Sequence, residues 1–171
     1  MGNSTESLEE FLLDLWEQNR GAISRTLMAC EADLSLRQDL KQDLYLALHQ
    51  SLQRIKDAAN PRAYLFRIMH NVTVDHIIKA QKHKYEPLNE DVNQEPTQTT
   101  PSQQLFEQQQ SQQLMRAIRQ LSPANKQVIL LLMEDIDAVE IGEILQISHG
   151  AVRVRINRAK VELKELMQND R

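Results

Sequence analysis

Apolar residues recur at intervals of three and four along most of the chain, the spacing of helices that bury one face. From Ser35, the residues Leu36, Leu40, Leu44, Ala47, Leu48 and Leu52 keep that interval, leaving Arg37, Asp39, Lys41, Gln42 and Asp43 for water or a partner. Ser7 with Glu10, and Ser35 with Gln38, have the spacing of capping boxes, so helices are expected to start there. After a turn at Lys56 to Asn60, Pro61 opens a helix with a preset backbone angle and no wasted amide. Its buried stripe is Leu65, Ile68, Met69 and Val72, down to about Lys84, and Tyr64 is expected in the core. Farther on, Leu114, Ile118 and Leu121 end one helix, and Ser122-Pro123 opens another through Met133. Asp137 then caps a short helix carrying Val139, Ile141, Ile144 and Leu145. Gln146-Ile147-Ser148 turns the chain, and Ser148 caps a long helix from His149 to about Met167. Short helix, tight turn and long helix make a helix-turn-helix. Gly142 inside the short helix costs about 1 kcal/mol relative to Ala, so it points to close approach of the second helix.

The periodicity stops from Tyr85 to Ser111, where Pro87, Pro96 and Pro101 stand among Gln, Thr and Asn. Such a stretch buries too little apolar surface to offset its ordering entropy. It reads as a linker whose tail turns helical after Pro101, dividing the chain into units 1–84 and 112–171 that move relative to each other. The expected fold is therefore all-α, two small helical domains joined by a flexible acidic linker.

Composition narrows this further. The 171 residues, 41% apolar and 26% charged with only four glycines, are those of an ordinary helical protein and disfavour a sandwich, barrel or disulfide scaffold. No apolar run reaches the roughly 18 residues of a membrane helix, and the acidic start lacks an export signal, so a cytoplasmic protein is expected. The net charge of −4 argues against nucleic acid until it is divided along the chain. Residues 1–84 carry eleven acids and eleven bases, residues 85–111 five acids and no base, and residues 112–171 eight acids and nine bases. Two acid-free basic stretches remain, one with Lys79, Lys82 and Lys84, the other with Arg153, Arg155, Arg158 and Lys160.

In a helix-turn-helix the second helix enters the major groove. Val152, Ile156, Ala159 and Leu163 face the protein, leaving Ser148 and His149 at its start and Arg153, Val154, Asn157, Arg158 and Lys160 outward. Arg can fork onto guanine and Asn onto adenine. The competing reading of that face is an ordinary solvated surface, and the capped turn with four bases and no acid tips the balance toward DNA. Enzymatic chemistry finds little support. HNVTVDH lacks the i, i+4 histidine pair of a zinc helix, no glycine-rich phosphate loop is present, and the single Cys30 reads as a small core residue. No metal, cofactor or small-molecule substrate is expected.

Two stretches together resemble the extracytoplasmic-function sigma factors, the two-domain specificity subunits of bacterial RNA polymerase. DLKQDLYLAL at Asp39–Leu48 is similar to the family's D-L-x-Q-[DE]-x-[FY] helix. PRAYLFRIMHNVTVDHIIK at Pro61–Lys79 is similar to its P-x-A-[WY]-L-x-R-I-x-x-N-x-x-x-D-x-x-R helix, with Asn71 and Asp75 in register. Leu121–Leu163 resembles its L-P-x-x-x-R-x-V-F stretch followed by S-x-G-T-V-K-S-R-L-x-R-A-R.

The resemblance implies that residues 1–84 are sigma region 2 and residues 112–171 sigma region 4. It places Asp39, Gln42 and Asp43 on the clamp helices of the polymerase beta-prime subunit, and region 4 on the beta flap. It places Lys56, Asn60, Arg62, Asn71, Lys79 and Lys82 at the minus-ten element, where a base of the non-template strand is flipped at a cost of a few kcal/mol. The His149–Lys160 helix would read the minus-thirty-five element, and the acidic linker would thread toward the RNA exit channel. An anti-sigma factor that holds the chain inactive, in some cases at the inner membrane, until a stress or envelope signal is a further implication. The sequence departs from the pattern at Ile78, where the family has Arg, at Ala151 and Val154, which replace hydroxyl residues, and at Lys126, Ala138 and Val139. The rival functions are a stand-alone operator-binding regulator, which gives no reason for the Gln42-Asp43 face, and a partner protein without DNA function.

Overall fold

The computed structural model describes residues 2–83 and 102–169, with side chains from 7–82 and 108–168. Every regular element among them is a helix: α1 (Gly2–Gln18), α2 (Arg20–Cys30), α3 (Leu34–Gln50), α4 (Leu52–Lys56), α5 (Pro61–His83), α6 (Ser102–Gln120), α7 (Pro123–Leu132), α8 (Ala138–Leu145) and α9 (His149–Asn169). The expected linker at 85–111 falls outside the described residues up to Pro101, as does Lys84, and from Ser102 onward it is already α6.

The helix starts differ from the capping-box expectation. Ser7 lies inside α1, where its hydroxyl accepts a hydrogen bond from Lys56 Nζ at 3.2 Å. Asp33, not Ser35, caps α3, accepting from the Leu36 amide at 2.8 Å. A carboxylate accepts this bond more strongly than a hydroxyl, so the cap moves two residues upstream. Ser51 interrupts the long apolar pattern, so Leu52 belongs to α4. Asn60 caps α5, its Oδ1 accepting from the Ala63 amide at 3.0 Å. Asp137 caps α8 as expected, accepting from Val139 and Glu140. The Ser122 hydroxyl makes no bond to its own helix and instead meets Glu162 of α9.

Leu40, Leu44 and Leu48 of α3 pack with Leu65, Phe66 and Met69 of α5, and with Leu12, Ile23 and Leu27 of α1 and α2. Each such side chain contributes about 1.5 to 3 kcal/mol on burial. Leu36 and Val139, expected in buried stripes, are exposed instead, because each stands in the first turn of its helix, beyond the packed seam. Cys30 is partly buried, and Tyr64 packs half-buried against the core.

The apolar core does not end at the first unit. Val128, Leu131, Ile136, Ile141, Ile144 and Val152 of the second unit continue the same buried cluster. Ala29 of α2 joins a second cluster with Ile118, Leu121, Ile129, Leu130 and Ala159. Helix α2 packs on α6, and α5 packs on α8. The two units, expected to move freely, are thus joined by apolar contact as well as by polar bonds.

Candidate nucleic-acid interface

The helix-turn-helix is built by α8, a left-handed residue at Gln146 (φ 56°), and α9. The Ile147 amide donates to Gly142 O at 3.0 Å, closing the end of α8. A Cβ on Gly142 would stand 3.0 Å from Ile147 O and 3.5 Å from Val152 Cγ2. The close approach expected at Gly142 is therefore that of the turn's own carbonyl, which would have to give by a few tenths of an ångström to admit a side chain, while Val152 of α9 stands at ordinary contact distance. Ser148 caps α9 through its hydroxyl, which accepts from the Ala151 amide at 3.2 Å.

Val152 and Ala159 are fully buried against α7 and α8, with Ile156 and Leu163 beside them. Opposite this seam lie Val154, Asn157 and Arg158, and along its flank His149, Arg153 and Lys160, all exposed. Six of the seven residues expected to read the upstream element thus form one accessible surface, while the seventh, Ser148, sits at its edge with its hydroxyl engaged. Arg155, in the same basic stretch, is half-buried and lies near His70 of α5. Glu162 anchors the helix to the start of α7, accepting from the Ser122 backbone amide at 2.9 Å and from the side-chain Nδ2 of Asn125. Burial pushes its carboxyl up, but the bonds from Asn125 and Ser122 outweigh this and hold it below the ordinary value.

The residues expected at the minus-ten element do not form one cluster. Arg62 and Lys82 are about 30 Å apart along α5 at 1.5 Å per residue. Asn71 and Lys82 lie on one exposed stripe with Arg67, Asp75 and Ile78, and Lys79 is at its edge. Arg67 was not singled out from the sequence, although it stands one turn before Asn71 on the same face. Ile78, 46% exposed, occupies the middle of this polar stripe.

At the other end, Lys56, Asn60 and Arg62 are exposed but engaged. Lys56 holds Ser7, and Asn60 donates from Nδ2 to Glu140 Oε1 at 2.9 Å. Arg62, on the protein-facing side of α5, lies over the Phe66 ring at 5.2 Å and donates to Glu134 O at 3.1 Å. That engagement is tertiary, and no local spacing announces it.

On α3, Asp39, Gln42 and Asp43 share one exposed face. Leu36 and Leu46, 50% and 57% exposed, bracket them. The face is thus an exposed acidic patch between two bare leucines. Among the described residues no helix is long and apolar enough to cross a membrane, and no three metal-ligating side chains converge.

Comparison with known proteins matches the two halves of the chain to two regions of one family. Residues 15–83 match sigma-70 region 2, and residues 111–163 match sigma-70 region 4. The chain is 26% identical over 162 residues to the RNA polymerase sigma factor YlaC of Bacillus subtilis, covering 92% of each chain. Its fold is similar to that of the sigma factor RpoE from Bartonella quintana, solved with the anti-sigma factor NepR, with a TM-score of 0.66, 19% identity and full coverage of both chains. It is also similar to CnrH, solved with the cytosolic domain of CnrY, with a TM-score of 0.64, 19% identity and coverage of 95% and 91%. With the two region models together spanning most of the chain, the chain belongs to the sigma-70 family, as a two-region sigma factor of the extracytoplasmic-function type.

Proposed function

We propose that the chain docks on core RNA polymerase through Asp39, Gln42 and Asp43 of α3, with region 2 as residues 1–84 and region 4 as residues 112–171. The observation that carries this reading is the acidic face of α3, exposed and flanked by Leu36 and Leu46. A stand-alone operator-binding protein has no use for such a face. The outer face of α9 reads the minus-thirty-five element through His149, Arg153, Val154, Asn157, Arg158 and Lys160, with Ser148 setting the helix start. The stripe of Asn71, Lys79 and Lys82, together with Lys56, Asn60 and Arg62, serves the minus-ten element. Region 4 also meets the beta flap, and the acidic linker runs toward the RNA exit channel. The chain performs no catalysis itself and acts in the cytoplasm, where polymerase and promoter are. One protein of the same fold has been solved with an anti-sigma factor and another with the cytosolic domain of CnrY, which supports such a partner here, released by a stress or envelope signal and in some settings held at the inner membrane.

The test is a titration of labelled protein into purified core RNA polymerase at physiological salt. Saturable binding is expected, weakened about tenfold or more in Asp43→Arg, where a like charge meets the basic partner while helical content stays unchanged. Absence of binding by folded protein would leave a helix-turn-helix regulator.

A further inference from the structure

Two residues at the middle of the outer face of α9 are not explained by the folding of the chain. Val154 is 51% exposed, opposite the seam of Val152 and Ala159, and belongs to neither buried cluster. A β-branched side chain inside a helix loses rotamer freedom, and one left bare to water gains no burial in return. Gly150 stands one turn earlier on the same face, and a Cβ there would have no heavy atom within 4 Å. Its backbone is not left-handed, so neither a close neighbour nor a special φ calls for glycine, although alanine is the better helix former. Arg153 and Asn157 stand to one side of this pair and Arg158 to the other, all exposed. Val161, also bare, lies two turns farther on, past the N-terminal part of the helix that reaches base edges. The front of the reading helix is therefore a low apolar surface bordered by hydrogen-bonding side chains.

A hydroxyl residue, as the sigma pattern has at position 154, donates to or accepts from several base edges, whereas valine can take only an apolar group. The major groove offers one such group, the C5-methyl of a pyrimidine, carried by thymine and by 5-methylcytosine. We propose that Val154 makes this sigma factor select a thymine in the upstream promoter element by packing on its C5-methyl group. Gly150 leaves the clearance that lets the groove floor reach a side chain as short as valine. This rests on the assignment of α9 to the minus-thirty-five element. Selection works by exclusion as well as by contact: a purine at the same place sets its N7 acceptor against an apolar side chain with no partner.

The test uses core polymerase loaded with the full chain and offered duplexes with randomised promoter elements, the bound pool being sequenced. The selected upstream element is then remade with single thymines replaced by deoxyuridine, which lacks only the methyl. At one position this should weaken binding about fourfold, the worth of one methyl withdrawn from water. Val154→Ser, with helical content unchanged, should bind the thymine and uracil duplexes alike. Cytosine and 5-methylcytosine at that position separate the two sources: a gain from methylation means that the methyl is read on either base, and no gain restricts the site to thymine. Gly150→Ala should unfold at higher urea concentration than the parent, yet lose about fivefold or more in affinity for the selected duplex, as a displaced base contact does. Unchanged affinity in that variant would overturn the clearance. Equal binding of thymine and uracil duplexes by the parent at every position, or a uracil penalty that survives in Val154→Ser, would overturn the selection by Val154 and leave α9 as the reading helix. A bound pool with no upstream preference would overturn both.

Discussion

Gln127 of α7 donates from Nε2 to the hydroxyl of Thr73 on α5 at 3.0 Å, a side-chain bond between the two sigma regions buried at both ends. Thr73 in turn reaches Met69 O at 2.9 Å and His70 O at 3.0 Å. The contact seals a polar point inside an otherwise apolar junction, where an unpaired group costs far more than a paired one contributes. Gln127→Ala should therefore lower stability by about 1 to 3 kcal/mol, through the lost bond and the space left behind. Urea unfolding followed by circular dichroism checks this, and a loss well under half a kcal/mol would mean that water already bridges Thr73.

His70 makes the same junction sensitive to acid. Burial pushes its imidazole below the ordinary 6.5, Gln127 partly opposes this by hydrogen bonding, and the positive charge of Arg155 adds to the lowering. Its Nδ1 is buried without a hydrogen-bond partner. The folded chain thus holds the neutral ring, and the unfolded chain takes up a proton first. That difference costs nothing above 6.5, and folded stability falls as pH drops through 6.5 toward the lowered folded value. Thermal midpoints measured across this window should decline more steeply for the parent than for His70→Gln. Parallel curves would show that other groups carry the acid response.

On α9, Arg153 and Arg158 are exposed and remote from the buried seam of Val152 and Ala159. Replacing both by Glu should leave folding within about 0.5 kcal/mol, since surface changes away from packed features cost little. Promoter-directed transcription should fall at least tenfold, as two phosphate or base contacts become repulsive. Run-off transcription from a cognate promoter measures the loss, and full activity in the double variant would move the reading face elsewhere.

Ile78 interrupts the polar stripe of α5 at a place where the sigma pattern has arginine. Ile78→Arg should restore one phosphate contact. Binding of the polymerase complex to promoter DNA should then grow more salt-dependent by about one ion, and tighten at low salt. A salt dependence identical to the parent's would place Ile78 outside the DNA footprint.

Much of this molecule was legible in its sequence. Helical class, the Asp137 and Ser148 caps, the turn between them and the outward set on α9 follow from interactions within a few residues, and local interactions leave local patterns. The same holds for the Leu40, Leu44 and Leu48 seam and for the exposure of Asp39, Gln42 and Asp43. The competition at Asp33 was readable in principle, because a carboxylate beside a helix start outbids a nearby serine. Only the tertiary structure decided that Asn60 and Arg62 are held by Glu140 and Glu134, that Arg25 grips a residue 109 positions away, and that one apolar core runs through both regions. Such contacts depend on which faces meet after the chain has closed on itself, and an amphipathic stripe specifies that a face is buried without specifying against what.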